Sequence, residues 1–157
     1  MTGAEYIDRY RLRPHPEGGW YREVHRSEHL LGPLPGYSGE RTALTAIYFL
    51  LARDDFSAFH RVRSEEAWVH LAGAPLELVL LAEDTRIVPL APADYGEPLT
   101  VVPPDTLQAA RTLGEYTLVA CLVAPGFDFS DFELPSRDDL LMAYPQHEAL
   151  VRRFTRP

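Results

Sequence analysis

Histidine, carboxylate and indole side chains lie close together in the segment 56–81, which is predicted to form successive β-strands. Side chains alternate between the two faces of a strand. His60 therefore points to one face of the first strand, while Glu66, Trp68 and His70 share one face of the next. If the turn between the strands brings both faces inward, these four side chains line one cavity. An imidazole and a carboxylate among apolar walls predict a pocket for a small molecule.

Two kinds of chemistry are open to this group. As a general base, His60 would need a pKa near neutrality, and Glu66 could orient its ring and stabilise the imidazolium. Alternatively, His60, Glu66 and His70 form a two-histidine, one-carboxylate set of the kind that binds non-haem iron. Structural roles compete with both, because His60 and Glu66 could belong to a barrel that only binds a ligand. Trp68 could stack on a ligand ring, or it could equally pack in the core of the barrel. His70 could likewise be a core residue.

Further candidates flank this segment. Arg22 and Glu23 fall on opposite faces of a predicted strand, so one of them faces the cavity. Arg22 in that position would clamp a carboxylate or phosphate of the ligand. After the last long strand, Asp128 or Asp131 could reach the barrel mouth as the acid partner of His60, or could face water. Three histidines near loops or strand ends are given no role: His15, His25 and His29.

The elements around these residues are short strands. Apolar or alternating runs are separated by Gly, Pro and Asp, a pattern typical of an antiparallel sandwich or barrel. The predicted strands are 19–27, 42–52, 57–63, 66–72, 76–82, 85–90, 99–102 and 116–124. A short amphipathic helix is predicted from Ala4 to Leu12, and the tail from Ser136 is predicted to be helical. We therefore expect one all-β domain over residues 1–157, with its barrel at about 14–134.

Composition and charge exclude several classes of protein. The 157 residues carry a net charge of -8, and the 15 basic residues are scattered arginines, so nucleic acid is not an expected partner. The absence of lysine excludes Schiff-base chemistry on lysine and a P-loop. Cys121 is the only cysteine, which favours a reducing, cytoplasmic location. No apolar run approaches the roughly 20 residues of a membrane span, so no membrane association is expected.

Four segments together are similar to a known family: HPEGGWYREVHRS, EEAWVHLAGAPLEL, VPPDTLQAA and YTLVACLVAPGFDFSDFEL. They resemble the cupin superfamily, and within it the uncharacterised subfamily described as a domain of unknown function, DUF985. The match runs over about residues 14–134. It implies a cupin-type antiparallel β-barrel, the jelly roll or double-stranded β-helix.

The cupin motifs are only partly present. The first motif matches at His60, Glu66 and Gly73, but Val62 replaces its second histidine. In the second motif, Gln108 stands where cupins have a metal-binding histidine. The resemblance therefore implies a pocket without a cofactor, with a divalent metal as the alternative. It also points Gln108 inward, either to bind a ligand or to serve as a buried structural amide.

Three functions follow as hypotheses. Some cupins, among them deoxysugar-nucleotide epimerases, resemble this chain in pairing a pocket histidine with an acid that together abstract a proton beside a carbonyl. The first hypothesis is such a metal-independent isomerase or epimerase acting on a carbohydrate or another small polar metabolite, with His60 as base. The second is a ligand-binding sensor without turnover, and the third is a metal-dependent enzyme using His60, Glu66 and His70. A homodimer is expected, because pairing two barrels covers an exposed sheet edge.

Overall fold

Short β-strands account for most of the ordered backbone in the computed structural model, which describes all 157 residues. The strands are β1 Arg13–Pro14, β2 Trp20–Arg26, β3 Leu30–Leu31, β4 Arg41–Thr42, β5 Thr45–Ala52, β6 Ser57–His60, β7 Glu65–Gly73, β8 Leu76–Leu81, β9 Arg86–Leu90, β10 Leu99–Val102, β11 Leu107–Thr112 and β12 Tyr116–Ala124. The helices are α1 Gly3–Tyr10, α2 Arg137–Ala143 and α3 Glu148–Arg153, with 3₁₀ turns at Phe129–Asp131 and Pro145–His147.

The strands form two packed antiparallel sheets and a small ribbon. The larger sheet has the order β1-β2-β5-β12-β7-β10, the smaller has the order β6-β11-β8-β9, and β3 pairs with β4. The largest buried cluster joins the two sheets, with Phe49 and Trp68 from the larger packed against Leu78 and Ala110 from the smaller. The expected all-β architecture with helical ends is confirmed.

One central strand was not indicated by the sequence. β11 contains Ala109 and Ala110, which have low β-propensity, and none of the predicted strands covers it. It nevertheless pairs with β6 on one side and β8 on the other, and both alanines are fully buried. The predicted strand 57–63 ends early, at His60, because Arg61 pairs with Glu133 outside the sheet. Burial and pairing partners, rather than propensity, set these limits.

Helices pack on the outer faces of the two sheets. A capping box at Thr2 begins α1, and a left-handed Arg11 ends it after Tyr10, two residues earlier than predicted. Tyr6 of α1 packs on the outer face of the larger sheet. The C-terminal tail packs Phe154 against Phe59 of the smaller sheet. None of the helices is both long enough and apolar enough to cross a membrane.

Strand alternation and register bring four polar or aromatic side chains between the sheets. Glu66 and Trp68 point inward from β7, and both are buried. In the smaller sheet, Gln108 of β11 lies opposite His60 of β6, and both of these are also buried. Since paired residues share a face of the sheet, Gln108 and His60 project toward Glu66 and Trp68. The two strand pairs thus meet in the interior.

Candidate functional site

A cavity of about 430 Å³ lies on the inner face of the larger sheet. Both ionisable side chains and aromatic rings line it. Its lining consists of Arg13, His15, Glu17, Tyr21, Glu23, Arg26, Thr45, Ile47, Phe49, His60, Val62, Glu66, Cys121, Val123, Phe127, Asp128, Phe129 and Phe132. Apolar walls with a few convergent polar groups are typical of small-molecule sites.

The polar floor is built around a pair formed by Glu17 and His60. His60 Nε2 lies 3.1 Å from Glu17 Oε2, and both side chains are almost completely buried. His60 Nδ1 is 2.8 Å from the carbonyl oxygen of Ala58, a group that only accepts, so Nδ1 carries a proton. Ser57 donates its hydroxyl to the other oxygen of Glu17 at 2.9 Å. Both ring nitrogens of His60 are therefore used within the protein.

Burial decides where the proton between these two groups lies. It raises the pKa of Glu17 to about 8, against smaller opposing effects of the Ser57 hydrogen bond and the Arg156 charge. Burial also lowers the pKa of His60, which the charge of Glu66 partly offsets. The two shifts favour a neutral carboxylic acid donating to a neutral imidazole. Glu17 and His60 then share one proton and together carry no net charge.

Glu66 is held from behind by a chain of hydrogen bonds. The indole N–H of Trp68 donates to Gln108 Oε1 at 2.9 Å, which fixes the orientation of the amide. Gln108 Nε2 consequently donates to Glu66 Oε2 at 2.7 Å. Burial raises the pKa of Glu66 to about 7, against smaller opposing effects of the nearby His60 ring and the Gln108 hydrogen bond. Glu66 also lines the cavity, as does Cys121, whose thiol lies within hydrogen-bonding reach of the Glu66 carboxyl group.

His15 completes the floor as a neutral ring. The backbone N–H of Glu17 donates to His15 Nδ1 at 3.2 Å, so this nitrogen is an acceptor and carries no proton. Burial accordingly lowers the pKa of His15 to about 4. The distance of 3.6 Å from Nδ1 to the Glu17 carboxylate is thus not an ion pair. His15 serves as an aromatic wall, with its ring centre 4.5 Å from that of Tyr21.

A tight turn presents Glu17 and His15 to the cavity. Gly18 has φ +106°, and a Cβ there would lie 2.1 Å from the carbonyl oxygen of Phe56, so only glycine fits. The Gly19 N–H donates to Asp55 at 2.7 Å. These contacts fix the turn, and the turn determines the direction of the Glu17 side chain.

The rim of the cavity has a closed ion pair and a group of phenylalanines. Arg26 donates to both oxygens of Glu23, at 2.9 and 2.8 Å, and to the carbonyl oxygen of Phe127 at 3.1 Å. Phe127 and Phe129 contact each other edge to face, with 4.9 Å between ring centres. Asp128 lies between them and accepts from Ser130.

The structure brings four of the nine predicted site residues to the cavity: His60, Glu66, Glu23 and Asp128. Of the alternatives Arg22 and Glu23, it is Glu23 that faces inward. The expected contact between His60 and Glu66 is not made, since Glu17 occupies the position beside the His60 ring. Glu17 and His15 were missed because they lie in a loop, where no alternation indicates the direction of a side chain.

Five predicted residues do not line the cavity. Gln108 and Trp68 are buried behind Glu66 and hold it in place. Arg22 is on the opposite face of β2 from Glu23. His70 shares the strand face of Trp68 but lies beyond it, where Nε2 is 3.0 Å from the carbonyl oxygen of Ala74. The remaining residue, Asp131, forms a buried ion pair with Arg41 at 2.8 Å.

A cupin-type metal centre does not fit these side chains. The set His60, Glu66 and His70 does not assemble, because His70 lies outside the cavity. Gln108 uses both amide atoms on neighbouring side chains, and Val62 has no donor atom. No group of three or more His, Cys, Asp or Glu is arranged to hold a metal ion.

Known proteins share this arrangement of strands. The family described as Cupin superfamily (DUF985) matches residues 4–135. A hypothetical protein from Leishmania major is 33% identical over 100% of both chains, with a TM-score of 0.92. A protein from Shewanella oneidensis is 34% identical over 100% of this chain and 99% of its own, with a TM-score of 0.86.

More distant structures share only the fold. An oxalate decarboxylase from Lactobacillus farciminis, solved as a formate complex, is 16% identical over 91% of this chain and 41% of its own, with a TM-score of 0.58. No curated protein sequence matches. The family match covers most of the chain, and two full-length relatives exceed 30% identity. The chain therefore belongs to the cupin superfamily, in the family described as DUF985.

Proposed function

We propose that this cupin binds a small polar molecule in the cavity and transfers a proton on it, as an isomerase or epimerase does. The observation that carries the proposal is the placement of two separate proton-exchanging groups on one floor. Glu66 is anchored through one oxygen by Gln108 and lines the cavity. The Glu17 and His60 pair, 3.1 Å apart, holds a shared proton.

Glu66 is better placed than His60 to act as the base. Both nitrogens of His60 are engaged, with Ala58 and with Glu17, so the ring has no free lone pair for a ligand. Glu66 needs only to be ionised, and a pKa of about 7 makes the carboxylate available near neutral pH. The proposal thus assigns the base role to Glu66 and makes His60 the partner of Glu17.

The proton balance of such a step closes within the site. The carboxylate of Glu66 takes a proton from a carbon beside a carbonyl, and the carbonyl oxygen becomes an enolate. The neutral Glu17 and His60 pair lends its proton to that oxygen as the negative charge develops. Glu66 then returns its proton to the neighbouring carbon, while an enediol hydroxyl gives a proton back to the Glu17 and His60 pair, which yields the isomer and restores both groups. Two acids of different pKa in one cavity suit this division of roles.

Deuterium exchange tests the proposal. A panel of hydroxy-aldehydes, hydroxy-ketones and keto acids is incubated with the protein in D₂O, and deuterium at the carbon beside the carbonyl is followed by NMR. We expect exchange with at least one member and a loss of about 100-fold or more in Glu66→Gln. Glu65→Gln is the matched control, since Glu65 is exposed at the start of the same strand. Exchange that is unaffected by Glu66→Gln would refute the role of Glu66.

Binding without turnover is the second candidate. It is favoured by the internal use of both His60 nitrogens, which also suits a purely structural pair. Under this function a panel compound raises the melting temperature of the protein, no deuterium enters it, and Glu66→Gln weakens the binding alone. The two candidates therefore give opposite results in the same exchange assay.

A further inference from the structure

One positive charge on the rim of the cavity has no partner. Of the two arginines in the lining, Arg26 is bound to Glu23 and to the Phe127 carbonyl. Arg13 takes part in none of the ion pairs. Its guanidinium lies 5.5 Å from the ring centre of Tyr21. Because an arginine stacked on a ring keeps its N–H edge free, Arg13 can bind an anion at the mouth.

The same rim exposes an apolar ring. The side chain of Phe129 lines the cavity, yet this residue is 54% exposed. Phe127 and Phe132 lie beside it, with ring centres 4.9 and 6.0 Å from its own. An exposed phenylalanine at a cavity mouth gains free energy when a flat apolar surface covers it. The rim thus combines a free guanidinium with aromatic faces.

Two of the carboxylates that line the cavity are compensated within the protein. Glu17 shares a proton with His60, and the charge of Glu23 is balanced by Arg26. Asp128 keeps its charge, because the hydrogen bonds from Ser130 lower its pKa. None of these carboxylates forms an ion pair with Arg13, so the charge of Arg13 is available to a ligand.

We propose that the cavity takes small planar carboxylates, with the carboxylate on Arg13, the ring against Phe129 and its neighbours, and a polar group toward the floor. The inference rests on the proposed function, because it names the ligand class of the same site. It also reassigns a role expected of Arg22, which lies on the outer face of β2. Arg13 pairs in register with the neighbouring Tyr21, and it is this arginine that lines the cavity.

Isothermal titration with two matched probes tests this assignment. 4-Hydroxybenzoate and 4-hydroxybenzamide have the same ring and hydroxyl, and they differ in the charge at one end. We expect the wild-type protein to bind the benzoate about tenfold more tightly, the usual size for one charge-assisted contact. Arg13→Gln should remove this preference and leave the affinity for the benzamide unchanged. Arg22→Gln removes an equal charge from the adjacent strand outside the cavity, and it should preserve the preference.

The ring contact has its own variant. Phe129→Ala should weaken both probes by a similar factor, because it removes the aromatic surface and leaves the charge. Equal binding of the two probes, no binding of either, or an equal effect of Arg13→Gln and Arg22→Gln would overturn the inference. Its failure is distinguishable from failure of the proposed function, because Glu66-dependent deuterium exchange does not depend on preference for a carboxylate. Conversely, preference for the benzoate without any exchange would leave the ligand class standing and remove the proton transfer.

Discussion

Two neighbouring positions on the inner face of β7 show how one strand serves two purposes. Glu66 faces the open cavity, whereas Trp68, two residues along the same face, is 1% exposed in the packed core. Two residues of strand span about 7 Å. Over that distance the interior changes from an open cavity to a closely packed core. Gln108 joins the two regions, because it accepts from Trp68 and donates to Glu66.

The difference separates a region that contributes stability from the region where the proposed chemistry takes place. The packed region fills its volume with Trp68, Phe49 and Leu78, so a truncation there leaves a cavity. The open region already contains a cavity, and its polar side chains converge on it from apolar walls. The inward face of a strand therefore identifies candidate site residues. Those whose side chains border open space belong to the cavity, and those whose side chains are closely packed belong to the core.

The largest expected effect is at the packed end. Trp68→Ala removes a buried indole and leaves Gln108 Oε1 without its donor, so the free energy of unfolding should fall by about 4 kcal/mol. Denaturation by urea measures this change. Trp68→Phe keeps most of the volume, loses only the donor, and should cost about 1–2 kcal/mol.

Phe129→Ala is the matched control at the open end. Phe129 is more than half exposed, so its truncation should cost less than about 1 kcal/mol. Equal costs for Trp68→Ala and Phe129→Ala would contradict the division into a packed and an open region.

The second effect is a fall in stability with rising pH. Folding raises the pKa of Glu17 from its ordinary value of 4.5 to about 8. Between these values the folded state holds a proton that the unfolded state has lost, so the free energy of unfolding falls as the pH rises. The lowered pKa values of His15 and His60 act in the opposite direction, but only below about pH 6.5. We therefore expect the free energy of unfolding to drop by about 2 kcal/mol between pH 6.5 and 8.

Two glutamine variants isolate the source of that drop. Glu17→Gln cannot ionise, so its denaturation midpoints should fall much less over the same pH range, with only the contribution of Glu66, whose pKa is about 7, remaining. Glu65→Gln, which alters an exposed carboxylate, should follow the wild-type protein. A wild-type drop that persists in Glu17→Gln would assign the titration to another group.

Local pattern predicted the fold class and part of the site, and long-range contacts determined the rest. His60 and Glu66 were found because strand alternation fixes the face of each side chain. Glu17 was not found, because its direction depends on a turn that is held by residues far away in the chain. For Asp131 the sequence left open the barrel mouth or a position facing water, and neither is right, because its buried partner, Arg41, is 90 residues distant in sequence. Each error concerns a contact that no local period encodes.

The smallest expected effect tests whether the open region depends on the C-terminal segment. Arg156 donates to the Glu17 carbonyl oxygen at 2.8 Å, and to Asp55 at 2.8 Å and the Phe56 carbonyl oxygen at 2.9 Å. It thereby fastens the turn that carries Glu17. Its positive charge also lowers the pKa of Glu17. Arg156→Gln should therefore cost about 1 kcal/mol of stability, since the side chain is partly exposed, and should raise the Glu17 pKa further.

The pKa of Glu17 distinguishes this role from simple loss of packing. Infrared titration of its carboxyl band should move to higher pH in Arg156→Gln. Arg156→Lys, which keeps the charge but not the forked geometry, should restore most of the pKa and little of the stability. Arg152→Gln is the control, because Arg152 pairs with Glu148 on the exposed side of α3 and makes no contact with the turn. An unchanged Glu17 pKa in Arg156→Gln would show that the turn holds its position without this arginine, and that the open region is organised locally.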